Sequence, residues 1–354
     1  MIQPKRVVLI LPCCIGDVVM ATATLQALRR GWPEAHITWA VGGWSKQAVD
    51  HHPLLDAILD TGPAALPVKS PHGFVRFVSQ LRGGHFDLAV SLVRSPLMSL
   101  AVRLSGIPQR AGLDSAGRGF GYNLRVPVNP HEIRHEAEIY LSVAGALGLD
   151  TSGCYANLPT DDHHWPTVAD KLRTCGVDPT NYIVINPAGG SNPGMVMDAK
   201  RWPPEHFADL ATQLAAKLKT QIVMIGGPDD AVIAQATAMQ MRQPPAIFTG
   251  TLSFAEIALL ASRARLYIGN DTGLTHLAAA AGAPTAAIFG PSDPRRYAPF
   301  APHVLTLWKP ASVARTGVAG GTPEHWDWSE HGIGVDEAEQ QILDYLADYP
   351  ANKS

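Results

Sequence analysis

Residues 6–12, RVVLILP, run continuously apolar and β-branched, which predicts a strand buried on both faces. From Asp17 to Arg30 the apolar positions switch to helical spacing (Val18, Met20, Ala21, Leu25, Leu28) and close on Arg29 and Arg30 before a Gly-Trp-Pro stop. The alternation continues. HITWAV (36–41) reads as a strand, SKQAVDHH as a short helix, LDAILD (55–60) as a strand, FVRFVSQLR as a helix and FDLAVSL (86–92) as a strand. Short connections between such units mark a parallel, doubly wound sheet.

Arg110 to Val126 is glycine-rich and basic and reads as loop around short strands. Residues 131–149 predict a helix closed by Gly148. From Asp150 to Thr180, Pro, Asp, Thr and His accumulate around one helix, VADKLRTCG, and this stretch is the expected interdomain connection. The pattern then restarts, with strands at 182–188, 221–227, 265–270 and 285–290. Helices are expected at 203–218, 230–240, 254–264 and 273–282. Ala311 to Gly334 reads as loop, and GVDEAEQQILDYLADY as a last amphipathic helix. The expected layout is therefore a domain over residues 1–165, a second over 166–335, and a C-terminal helix over 336–354 packing back on the first domain. No close residue-level repeat relates the halves.

Length and composition agree with this. A chain of 354 residues is natural for two α/β domains. With 46% hydrophobic and 17% charged residues it is folded rather than disordered. A net charge of -3 excludes the strongly basic balance of a typical nucleic-acid binder. The four cysteines (13, 14, 154, 175) lack C-x-x-C spacing, so a reducing compartment is expected. The apolar start is too short for a signal-peptide core, and no window approaches the roughly 20 apolar residues that span a bilayer.

Ligands of open parallel sheets bind beyond the carboxyl ends of strands, so polar residues there are the candidates. Asn270-Asp271-Thr272-Gly273 ends a strand and opens an Ala-rich helix, with His276 one turn in. A helix N-terminus presents free N–H groups and positive dipole to a phosphate; equally, Asp271 reads as an N-cap. Gly189, Gly190 and Ser191 begin a long loop that reaches Lys200, suited to wrapping a diphosphate. A plain surface loop is the alternative. It does not match G-x-x-x-x-G-K-S/T. Asp17, after Gly16, is either a helix N-cap or a general base, roles that compete for the same oxygens. G-x-G-x-x-G is absent after the first strand, which argues against a nicotinamide dehydrogenase. The histidine pairs 51–52 and 163–164 lack metal-ligand spacing, and the cysteines read as small packing residues.

Taken together, RVVLILPCCIGDVVMATATLQALRRGWPEAHITWAV, KRWPPEHFADLA, IGGPDD and YIGNDTGLTHLAAAAGAPTAAIFGPSDPRRYAP resemble the lipopolysaccharide heptosyltransferases, glycosyltransferase family nine. The likeness runs in the family's order from Arg6 to Pro299, and the D-T-G-x-x-H segment is its most specific part. It implies a GT-B fold, two Rossmann-like domains with a cleft between them. It further implies an inverting transfer of heptose from ADP-heptose to a Kdo- or heptose-bearing inner core, with no bound metal or other cofactor. Asp17 falls on the family's catalytic base and Lys200 on its phosphate-binding lysine. Asp271, Thr272, Gly273 and His276 fall on the donor motif, and Asp230 near the donor ribose. Gly16 and the basic residues Arg94, Arg118, Arg103, Arg110 and Arg125 are expected near the acceptor side, where the arginines either meet acidic sugars and lipid phosphate or serve only as ordinary surface charge for solubility. The implied setting is the cytoplasmic face of a bacterial inner membrane, with a monomer meeting a lipopolysaccharide-type acceptor and no nucleic acid. Departures from the pattern are Ala23 in place of a Pro, Cys13 and Cys14 in place of small polar residues, and a longer loop between Gly189 and Lys200. Rival readings are another nucleotide sugar or glycan acceptor within the family, a GT-B sugar-nucleotide epimerase, and a non-catalytic nucleotide-sugar binder.

Overall fold

The computed structural model describes residues 3–64, 66–192, 195–309 and 326–349. The chain divides into two units, Met1–Pro159 and Thr160–Ser354.

The first unit is built on one six-stranded sheet. Its strands are β1 (Arg6–Ile10), β2 (His36–Val41), β3 (Ala57–Asp60), β4 (Leu88–Ser91), β5 (Gln109–Asp114) and β6 (Leu124–Pro127). They are ordered β3-β2-β1-β4-β5-β6 and every pair is parallel. Its helices are α1 (Ile15–Gly31), α2 (Pro71–Gly83), α3 (Pro96–Leu104) and α4 (Glu136–Ala146). In β1, Val7 to Ile10 are completely buried, as the unbroken apolar run requires. Helix α1 is apolar nearly all round, and Val18 to Leu25 are buried along it. Such a helix needs cover on more than one side, and α4 supplies part of it by packing along α1. The expected short helix at residues 45–52 is a single 3-10 turn, Lys46–Ala48.

The second unit repeats the plan. Its strands are β7 (Tyr182–Asn186), β10 (Gln221–Gly226), β11 (Ala246–Thr249), β12 (Leu266–Asn270), β13 (Thr285–Ile288) and β14 (Val304–Leu307). Their order, β11-β10-β7-β12-β13-β14, reproduces that of the first sheet, again all parallel. A small antiparallel pair, β8 (Ser191–Asn192) and β9 (Met195–Val196), stands in the loop after β7. The helices are α5 (Trp165–Thr174), α6 (Pro204–Leu218), α7 (Ala231–Ala238), α8 (Phe254–Arg263), α9 (Gly273–Ala280), α10 (Pro294–Tyr297), α11 (Trp328–His331) and α12 (Val335–Asp348). The C-terminal helix, expected to return to the first domain, packs on α6 and β14 of its own unit. Its buried Ala338 and Ile342 join the core that also holds Ile183, Phe207 and Leu214. Most of the loop expected at Ala311 to Gly334 lies outside the described residues.

In each sheet the chain leaves the central strand in one direction and later returns to its other side. The two switch points lie between β1 and β4 and between β7 and β12. Among the described residues no helix is long and apolar enough to cross a membrane.

Trp202 fastens the second unit beside its switch point. It is fully buried, meets Phe207 edge-on, and donates Nε1–H to the carbonyl of Ile333 at 3.1 Å. Trp202→Ala is expected to cost about 3–5 kcal/mol in urea unfolding of this unit, the range for emptying an aromatic core site. A loss below about 1 kcal/mol would show that the site collapses around the gap.

Candidate active site

In each unit the central candidates, Asp17 in the first and Asp271 in the second, stand at the switch point. In the first unit α1 begins at Ile15, with Cys14 in the N-cap position, so Asp17 is the third helical residue and not the cap. Its carboxylate is held by two side chains. Tyr140 Oη donates to Oδ1 at 2.7 Å, and Cys13 Sγ donates to Oδ2 at 3.3 Å. A carboxylate in a helix's first turn also suits the positive end of the dipole. Tyr140 reaches Asp17 because α4 lies along α1, a contact across 123 residues of sequence. Burial, followed by the charge of Asp17, pushes the Tyr140 hydroxyl well above the ordinary phenol range, so it stays a donor. The hydrogen bond with Cys14, burial and the charge of Asp17 likewise push up the Cys13 thiol. Cys13, expected as packing, therefore touches the candidate base. Its Sγ, that of Cys14 and a carboxylate oxygen of Asp17 lie within 4.8 Å of one another, a possible ligand set for a metal ion.

Arg94 follows β4 and donates to Oε2 of Glu136 at 2.7 Å, with the Glu136 side chain only 2% exposed. Its charge is thus shared with a buried acid. Arg118 is exposed, and its carbonyl accepts the Ser99 hydroxyl at 2.8 Å. Arg110 and Arg125 are committed to loop carbonyls: Arg110 to those of Gly121 and Ile107, Arg125 to those of Tyr122 and Phe120. Their charge tightens the glycine-rich loop.

The second unit assembles the other group. Asn270, at the end of β12, accepts the backbone N–H of Trp202 at 2.9 Å and donates to the carbonyls of Pro187 and Ala188. One buried amide thus ties the end of β12 to the loop after β7 and to the segment carrying Lys200. Gly189 (φ +94°) and Gly190 (φ +76°) take left-handed backbone that glycine adopts readily. A Cβ on Gly189 would come within 2.4 Å of the Thr272 methyl, so the loop lies directly on Thr272. Arg201 Nε–H holds the Gly189 carbonyl at 2.7 Å. Ser191 lies in β8.

Lys200 Nζ meets Asp271 Oδ2 at 2.5 Å, and the Ser292 hydroxyl donates to the same oxygen at 2.7 Å. His276 Nε2 lies 3.7 Å from Asp271 Oδ1. Asp271 is buried, and burial alone would raise its pKa. The charge of Lys200 and the hydrogen bond and charge of His276 outweigh this and hold the carboxyl well below the ordinary range. The cap of α9 is Thr272, without a side-chain cap bond, so the N-cap reading of Asp271 is not realised. Gly273 is the first residue of α9. Asp271 faces Lys200 rather than a free anion position. Lys200 retains further N–H donors for a ligand. Asp230, after β10, accepts the Gly227 N–H at 2.8 Å and closes its own 3-10 turn.

Tyr140, Ser292, Arg201 and Asn186, whose side-chain amide donates to the Thr272 hydroxyl at 3.4 Å, join these clusters without having been singled out in the sequence. Asn186 sits at a strand end and Ser292 lies in the F-G-P-S-D-P segment, so a signal existed for these two. Nothing local marked Tyr140.

Two doubly wound parallel sheets of identical strand order, with polar clusters at the switch points, are the architecture of the GT-B fold. The family model for glycosyltransferase family 9 (heptosyltransferase) matches residues 74–319. The chain belongs to that family. A curated relative, lipopolysaccharide heptosyltransferase 3 of Escherichia coli, is 24% identical over 299 residues, covering 83% of this chain and 86% of the relative. A solved glycosyl transferase family 9 structure from Veillonella parvula DSM 2008 superposes with a TM-score of 0.81 at 24% identity, over 98% of both chains. The solved E. coli ADP-heptose lps heptosyltransferase II gives 0.76 at 21% identity, over 98% of this chain and 100% of that one.

The depressed Asp271 carboxyl links this cluster to pH. Its stabilising effect is complete above the unfolded-state value of about 3.9 and is lost as pH falls towards the lower folded-state value. Asp271→Asn should therefore destabilise the unit at neutral pH by stranding Lys200. The gap to wild type should narrow between about pH 5 and about pH 3 in denaturant titrations. A gap that does not change with pH would show that the pair carries no linkage.

Proposed function

We propose that this enzyme transfers a heptose, with inversion, from ADP-heptose to a Kdo- or heptose-bearing lipopolysaccharide inner core, with Asp17 as general base. Family membership supports the reaction class, and the names of the relatives support the donor and the acceptor. The observation that carries the role of Asp17 is its carboxylate, oriented by the side chains of Tyr140 and Cys13 at a switch point.

The chemistry follows from the residues. The acceptor hydroxyl gives its proton to Asp17 as its oxygen attacks the anomeric carbon. The bond from that carbon to the diphosphate breaks, and ADP leaves with the electron pair. One displacement inverts the centre. The charge growing on the diphosphate is assigned to Lys200, the N–H groups at Thr272 and Gly273, and the loop Gly189–Ser191. Asp271 and Ser292 position Lys200, and His276 buttresses Asp271. No metal cofactor is assigned to this step. Asp230 is assigned to the nucleotide ribose. Gly16, Arg94 and Arg118 are assigned to the acceptor side, Arg118 as the exposed charge and Arg94 through its pairing with Glu136. The enzyme acts as a monomer at the cytoplasmic face of the inner membrane, where such an acceptor is presented.

A thermal-shift panel of nucleotide sugars tests the donor. ADP-heptose at about 100 times its Kd should add about 2.7 kcal/mol and raise Tm by several degrees. Lys200→Ala should remove most of that rise. A shift produced only by UDP- or GDP-sugars would overturn the heptose assignment.

A further inference from the structure

The cluster around Asp17 has a composition that proton transfer does not need. A base requires one oriented carboxylate, yet here two consecutive thiols adjoin it. Cys13 Sγ is 3.3 Å from Asp17 Oδ2, and the Cys14 sulfur completes a triad whose ligand atoms all lie within 4.8 Å of one another. All three residues are half-buried rather than sealed. For a tetrahedral zinc ion, bond lengths of about 2.3 Å to sulfur and about 2.1 Å to oxygen imply ligand-to-ligand edges of about 3.6–3.8 Å. The 3.3 Å between Cys13 Sγ and Asp17 Oδ2 and the 4.8 Å bound on the other separations bracket these edges.

We propose that Cys13, Cys14 and Asp17 bind a thiophilic divalent cation, Zn2+ in the first instance, and that its binding reversibly inhibits the transferase. The inhibition rests on the reading of Asp17 as the base; the metal site itself does not. Zinc displaces the two thiol protons to solvent and takes two thiolates and one carboxylate, leaving a fourth position for water. Those ligands and the ion sum to one negative charge, at the N-terminus of α1 where negative charge is favoured. Once Asp17 Oδ2 is a metal ligand, it cannot accept the acceptor's proton. Hard cations such as Mg2+ prefer all-oxygen ligands and do not compete for this site.

The test uses the untagged, reduced full chain. Calorimetric titration with Zn2+ should show one tight site more in the wild type than in the double variant Cys13→Ser, Cys14→Ser, and none of this binding with Mg2+. Co2+ on the wild type should give a thiolate-to-metal charge-transfer band, a readout that stands even where the variant does not fold. Equal zinc stoichiometry in both proteins, or no such band, overturns the proposal. In transfer assays, zinc at saturation should lower the rate at least tenfold, a chelator should restore it, and the folded double variant should not respond. Thiol-dependent zinc binding without loss of transfer overturns the inhibition and the base assignment together. Zinc binding in a protein inactive on every nucleotide sugar supports the site and overturns the functional reading instead.

Discussion

The structure depends on one topological constraint, the parallel crossover that leaves the central strand of each sheet on both sides. Parallel strands require long connections, which cover the faces of the sheet with helices. Where successive connections diverge, at β1–β4 and β7–β12, the strand ends are left uncovered by either. The groups at the centre of each cluster follow such an end. Asp17 follows β1, Gly189 follows β7, and Asp271 follows β12. The apolar strands hold these positions with little freedom, since β1 and β12 are buried throughout apart from the edge residue Arg6.

Each unit then solves a different electrostatic problem. In the second, a buried acid and a buried lysine neutralise one another, with Ser292 and His276 satisfying what remains of the carboxylate. A buried pair of this kind is seldom worth much as stability, because desolvation offsets attraction. Its value here is to fix the position of the Lys200 ammonium beside the N-terminus of α9, with N–H donors left for a ligand. In the first unit the carboxylate has no cationic partner at hydrogen-bond distance among the described residues, and neutral donors orient it instead. That arrangement fixes direction while leaving the acid's charge available. Arg94 contributes at longer range, and its own charge is met by Glu136.

Most of the fold was legible because buried parallel strands and covering helices write different periods into the sequence. HITWAV is β2 residue for residue, and the strand and helix around Asp271 fall within two residues of their expected bounds. The elements that escaped notice are short or peripheral. Helix α3 spans nine residues behind a Ser95-Pro96 cap, and β11 and β14 are four-residue edge strands without full burial. The helix expected at 131–149 begins only at Glu136, because His135 caps it through its ring. Candidate residues were legible where chemistry and strand ends coincide, as for Asp17 and Asp271, and Lys200 through the basic end of its loop. What stayed hidden was partnership across distance. Tyr140 is one of eight tyrosines, and only the packing of α4 on α1 brings it to Asp17. Asp271 looked like a cap until burial beside Lys200 gave it a different task.

The central claim is that an oriented Asp17 removes the acceptor's proton. Its most direct test is transfer by Asp17→Asn, measured beside donor binding by calorimetry on the same preparation. The amide keeps the shape and loses the basicity. Removing a general base costs about 10²–10⁴-fold, so kcat should fall by at least about a hundredfold while donor Kd stays within about twofold of wild type. Full transfer activity in a folded Asp17→Asn protein would contradict the account.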